Sequence, residues 1–150
     1  ADEIEARGHS YACELLLLDS VPASKTQAIE LAVVEGSAVF HSILLHRENG
    51  LPLQYEDRWV NPTLAPEYLQ QDFLSQTPNA YLTAVAPLTE ADHVVEATCV
   101  ADEIAMALEI EPSQPCLKVG RRTWSQQGVV SFAQLYYPGN RYRLGGHLNF

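Results

Sequence analysis

"ENGLPLQYEDRWVNP", residues 48–62, decides the fold. Asn49-Gly50 is a two-residue hairpin signal, because both residues tolerate the positive backbone angles such a turn needs. A strand, "AVFHSILLHR", precedes it, and "LPLQYEDRWV" returns antiparallel. The returning strand carries Glu56, Asp57 and Arg58 in a row, where strand interiors are usually depleted in acidic residues. Side chains alternate along a strand, so the triplet is split. Gln54, Glu56 and Arg58 share one face; Leu53, Tyr55, Asp57 and Trp59 share the other. On the preceding strand Ser42, Leu44 and His46 share a face, opposed by His41, Ile43, Leu45 and Arg47. A row of amide, carboxylate and guanidinium has donors and acceptors spaced for a small ligand. The plain alternative is a solvated face whose Glu-Arg pair is worth about 0–1 kcal/mol.

Working outward, the order strand, helix, hairpin occurs twice. "YACELLLLDS" has an unbroken apolar centre and reads as a buried strand. "SKTQAIELAV" follows as a helix, with Ser24 and Gln27 in capping-box spacing. In the second half "DHVVEATCVA" is a strand, "ADEIAMALEI" a helix, and "CLKVGRRTWS" and "VVSFAQLYYP" a hairpin about "QQG". Residues 61–84 lack strand alternation and predict two short helices, around Pro66–Phe73 and Asn79–Val85. "YRLGGHLNF" predicts a final edge strand. Setting the halves in register places Gly50 over Gly128, Glu56 over Gln134 and Arg58 over Tyr136. Val130, Phe132, Gln134 and Tyr136 then form a second row whose apolar wall, amide and phenol suit a pocket. The expected fold is α+β: two pseudo-repeated strand-helix-hairpin units forming one antiparallel sheet, with helices packed on one face and a groove between the halves.

Bulk properties narrow the function. One hundred and fifty residues suit a single domain that buries roughly 70% of its unfolded surface. A net charge of -10 argues against direct contact with nucleic acid or an anionic membrane. Cys13, Cys99 and Cys116 are odd in number and contain no CxxC pair, so neither a disulfide framework nor a zinc site is indicated. No apolar run approaches a membrane span and no signal peptide is visible, so the expected location is cytoplasmic. His41 and His46 fall on opposite strand faces and cannot jointly hold a metal; no GxSxG, P-loop, GxGxxG or HExxH pattern occurs. Neither cofactor nor metal is expected. In "RRTW" the adjacent Arg121 and Arg122 point to opposite faces. "ADEIEARG" reads as the last turns of a helix closed by Gly8, which sets residues 1–8 apart from 9–150.

The hairpin with its xxG-x-P-xxx-E pattern, the "PxxY" segment, the Ala/Glu-rich helix before "CLKVGRRTW", the Gly-Val-Val that follows and the closing "PGNRYRL" together resemble the UTRA domain. That is the effector-binding half of HutC-type GntR transcriptional regulators, and the resemblance covers essentially the whole chain. It implies a fold similar to chorismate lyase without catalysis, a homodimer, DNA contact only through a winged helix-turn-helix outside this sequence, and a division into 1–8, the end of an interdomain linker helix, and 9–150, the effector-binding domain. For the branch of the family governing histidine utilisation it implies urocanate as effector. By position the family glutamate falls on Glu56, two family arginines on Leu44 and His46, the residue opening the pocket helix on Asn79, the aromatic two places later on Tyr81, and a family acid near Phe132. The resulting expected ligand set is His46, Glu56, Arg58, Asn79, Tyr81, Phe132, Gln134 and Tyr136. Arg58 would grip a carboxylate, Glu56 or Asn79 the imidazole nitrogens, and Phe132, Tyr81 or Tyr136 would stack on the ring. The competing readings are a lyase or isomerase on the same fold, and a ligand-free dimerisation module.

Overall fold

In chain order the elements are β1 (Tyr11–Pro22), α1 (Lys25–Leu31), β2 (Ala38–Glu48), β3 (Leu51–Val60), α2 (Pro78–Val85), β4 (Glu90–Thr98), α3 (Asp102–Leu108), β5 (Cys116–Ser125) and β6 (Gly128–Pro138). The structure is a computed structural model that describes residues 11–149, so the expected helix at residues 1–8 lies outside the described residues. The strands form one sheet in the order β1-β2-β3-β6-β5-β4, with every neighbouring pair antiparallel. The two hairpins therefore meet through their return strands, and the β3–β6 pair is the centre of the sheet.

Local chemistry sets the ends. The Ser24 hydroxyl accepts from the Gln27 N–H while the Gln27 side chain accepts from the Ser24 N–H, so the capping box is complete. Asn49 and Gly50 both take positive φ (53° and 80°), as the hairpin turn demands. The helices divide between the two faces of the sheet. α1 and α3, one from each repeat, lie on the same face: Leu31 packs with Val39, Trp59 and Phe132, and Leu108 with Leu45, Tyr55 and Tyr136. Each fully buried leucine stabilises the fold by roughly 1.5–3 kcal/mol. The inserted segment between β3 and β4, with α2, covers part of the other face, where Tyr68, Phe73, Tyr81 and Leu82 pack on Leu44, Val60 and Val130.

The repeat is real but displaced by one residue from the register expected. β3 carries a bulge at Leu53, between the pairs His46–Gln54 and Arg47–Pro52. β6 carries one at Val130, between Thr123–Ser131 and Trp124–Val129. Matching these bulges places Leu51, not Gly50, over Gly128; Glu56 over Ala133; and Leu44 over Arg121. A slip of one residue moves a whole strand's side chains to the opposite face. That is why Phe132, Gln134 and Tyr136 lie on the face of Tyr55, Asp57 and Trp59, away from Glu56 and Arg58.

Three element readings change. β1 is an edge strand paired only with β2, so Leu15, Leu16 and Leu17 stay 36–42% exposed rather than buried. The helix expected around Pro66–Phe73 shrinks to one 3₁₀ turn, Tyr68–Gln70, because the Asp72 carboxylate accepts from the Leu74 N–H and turns the chain. Of the expected final strand, residues 142–149 form none. β6 sits between β3 and β5, so the chain leaves it at Pro138 in mid-sheet, with no free edge within reach. Arg141 instead donates to the main-chain oxygens of Pro52, Leu108 and Glu109, tying this segment to the C-terminus of α3.

Candidate functional site

A cavity of about 890 Å³ opens on the Glu56 face of the sheet. Its floor is formed by Tyr11, His46, Gln54, Glu56, Arg58, Arg121, Leu135 and Tyr137. Thr77 and Asn79, at the start of α2, form one wall, and residues 139–143 the other. Four of the chain's nine Lys and Arg residues, Arg58, Arg121, Arg141 and Arg143, line this single space.

The floor is a continuous polar chain. Glu56 Oε1 meets His46 Nε2 at 2.9 Å, and Glu56 Oε2 accepts from Arg58 Nε at 2.9 Å. Arg58 Nη1 donates to Ser131 Oγ at 3.2 Å, and Ser131 bonds Thr123. His46 Nδ1 bonds the Tyr11 hydroxyl. His46, Glu56 and Arg58 are 8%, 4% and 3% exposed. Burial alone would raise the Glu56 carboxyl; the Arg58 guanidinium and His46 outweigh it and hold it at about 2. Burial would lower the His46 imidazolium; the neighbouring Cys13 and Glu56 side chains outweigh that and hold it at about 9. At neutral pH His46 is therefore an imidazolium that donates from both nitrogens, and Glu56 is a carboxylate saturated by its two neighbours.

Arg121 differs. β3, β6 and β5 align Arg58, Ala133 and Arg121 in one cross-strand row. The methyl side chain of Ala133 leaves the space above it open to both guanidiniums. Arg121 makes no hydrogen bond or ion pair among the described residues, and its Nε is buried without a partner. Burial and then the neighbouring Arg58 push its guanidinium down from the usual range. Two buried cations, His46 and Arg58, and the half-buried Arg121 thus gather around Glu56.

The expected ligand set divides. His46, Glu56, Arg58 and Asn79 are brought together around the cavity. Tyr81 packs instead against Tyr68 and Phe73, with ring centroids 6.2 and 6.5 Å away. Phe132 stacks with Trp59, and Tyr136 donates to Gln134 Oε1, all on the opposite face. Asp57, also there, pairs with His41 at 2.6 Å, while Arg47 pairs with Glu109. The aromatic side chains actually at the cavity are Tyr11, Tyr137 and Tyr142, the last two stacked at 4.0 Å. Gln54 Nε2 donates to Tyr137 Oη at 2.6 Å. Arg121 was legible only as one of two adjacent arginines, one of which had to face inward; Arg122 turns to the other face, over Trp124 and beside Glu30.

A UTRA domain family model matches residues 6–143, and the chain belongs to that family. It is 50% identical over 149 residues to the histidine utilization repressor of Pseudomonas putida, covering 99% of this chain and 60% of that protein. The corresponding Klebsiella aerogenes repressor is 49% identical over 146 residues, covering 97% and 61%. The chain thus spans about three fifths of the curated relatives it matches. The C-terminal domain of the histidine utilization repressor from Pseudomonas syringae pv. tomato superposes with a TM-score of 0.91 at 45% identity, over 94% of this chain and all of that one. The effector domain of PhnF from Mycobacterium smegmatis, 15% identical with a TM-score of 0.89 over 99% of this chain and 93% of that one, shares the fold. The α+β sheet and the regulator class are those the resemblance implied.

Proposed function

We propose that this domain senses urocanate for a repressor of histidine utilisation, and that ligand binding in the cavity weakens the regulator's hold on DNA. One observation carries the reading: a chain of net charge -10 gathers two buried cations, His46 and Arg58, and the half-buried, unpaired Arg121 around Glu56 on the floor of its cavity. Buried charge without a counter-charge is costly, and a small anion entering beside it lowers that cost. Urocanate brings one carboxylate and one planar imidazole. The carboxylate meets the cationic floor; the ring meets Tyr137 and Tyr142, with Gln54 and Asn79 as its polar partners. The relatives are named as repressors, which favours binding without turnover over a lyase or isomerase.

DNA contact would lie in a winged helix-turn-helix elsewhere in the full protein, which would work in the cytoplasm. Among the described residues no helix is long and apolar enough to cross a membrane. The exposed leucines of the β1 edge support a homodimer. The sensor need only bind the DNA-released state more tightly, by a coupling of about 1–3 kcal/mol. Calorimetry with urocanate, histidine and imidazole tests the effector. Operator release, followed by fluorescence anisotropy on the full regulator, tests the coupling. Tight urocanate binding without turnover and with operator release is expected; no heat of binding from urocanate sinks the reading.

A further inference from the structure

We infer that Arg121, not Arg58, is the residue that grips the ligand's carboxylate and thereby sets the cavity's preference for anionic over neutral imidazoles. This rests on the effector reading above and assigns its specificity to one side chain. Arg58 points into the cavity on sequence grounds, but its Nε is held by Glu56 and its Nη1 by Ser131, and it is 3% exposed. Its charge is matched by a carboxylate that touches it. It stiffens the floor.

Arg121 stands two strands away in the same row, roughly 10 Å from Arg58 at the backbone. Only Ala133 lies between them, so nothing on β6 screens one guanidinium from the other. Glu56 is the nearest acid on that face, and both its oxygens are taken. Among the described residues the terminal nitrogens of Arg121 make no bond, so they remain for a ligand while the side chain lines the cavity. A planar fork matches a carboxylate bidentately, which neither a lysine nor a single hydroxyl reproduces. The repeat sharpens the assignment: the position equivalent to Arg121 in the first hairpin is Leu44, which is fully buried in the core. Of this equivalent pair, the second hairpin alone presents a cation to the cavity.

The test is calorimetry on the chain and its Arg121→Gln and Arg121→Lys variants, with two probes: urocanate and its primary amide. Circular dichroism confirms folding first. Arg121→Gln is expected to lose roughly 10- to 100-fold in urocanate affinity. The amide should bind the wild-type chain correspondingly weakly and be little changed by the substitution. Arg121→Lys, which keeps the charge and loses the fork, should fall between. A folded Arg121→Gln variant that binds urocanate within about twofold of wild type overturns the inference, as does one that still prefers urocanate to the amide by the wild-type margin. If Arg121→Gln fails to fold, Arg121→Lys decides, wild-type affinity counting against the fork. If urocanate is silent but another planar monocarboxylate binds and weakens in the variants, the urocanate reading falls and Arg121 stands. If no carboxylate binds the wild-type chain, both fall.

Discussion

The two hairpins of the sheet are built alike and carry charge in opposite ways. The β2–β3 hairpin buries His46, Glu56 and Arg58, which bond one another and are completed by Tyr11 and Ser131. The β5–β6 hairpin has the same turn-proximal bulge, yet places Arg121 on the same face with no partner. A closed network and an open charge have different physical uses. The first holds side chains in fixed rotamers and resists change, because removing any member strands the others. The second contributes nothing to the empty fold and is available to a ligand.

Substitutions should separate the two. Glu56→Gln leaves Arg58 and His46 buried without their counter-charge, and should cost about 3–5 kcal/mol in urea unfolding. A loss below about 1 kcal/mol would mean the network is not closed in solution. His46→Gln tests the same network through pH. His46 is held above its ordinary 6.5, at about 9, so its stabilisation is complete below 6.5 and fades as pH rises through 9. Glu56 is held below 4.5, at about 2, so its stabilisation is complete above 4.5 and fades as pH falls toward 2. The cluster is thus most stabilising between pH 4.5 and 6.5. His46→Gln should flatten the decline between pH 6.5 and 9, on the order of 2 kcal/mol, and should shrink but not abolish the acid limb, because Arg58 still holds Glu56 down. An unchanged alkaline slope would remove His46 from the network.

On the opposite face Asp57→Asn tests the His41–Asp57 hydrogen bond at the edge of solvent. His41 and Asp57 are 16% and 20% exposed, so the loss should be about 1 kcal/mol, with urocanate affinity untouched. A change in affinity would place that face in the site after all. Smallest of all, Arg121→Gln should leave the stability of the empty chain unchanged or raise it by up to about 1 kcal/mol, since it removes a half-buried charge that has no partner among the described residues. A clear destabilisation would show that Arg121 belongs to the closed network, and the contrast between the hairpins would disappear.

How far the sequence reaches is clearest along β3. Alternation correctly put Gln54, Glu56 and Arg58 on one face, because a strand's period is a property of its own backbone. The same rule placed Val130, Phe132, Gln134 and Tyr136 in a row; the last three are one, but the bulge at Val130 turns that side chain to the other face, against Leu44 and Tyr68. What failed was the register between halves. Gly50 and Gly128 look equivalent as letters, but the first lies inside its turn and the second begins its strand. That single step turned an aromatic row toward the wrong face. β1 misled for a related reason: four leucines in succession signal apolarity, and nothing local says that a strand is at an edge.

Residue pattern alone determined the order of elements, the two hairpins, the completed capping box and the polar row at Glu56 and Arg58, since each depends on neighbours within a few positions. The UTRA family was legible there too, in the spacing of motifs along the chain. Only the tertiary structure decided which charges are closed and which are open. Whether Arg58 is free depends on Glu56 and Ser131, and whether Arg121 is free depends on the absence of any acid at that end of its row. Those partners come from three strands that meet only when β3 and β6 pair, and no spacing within one strand encodes that meeting.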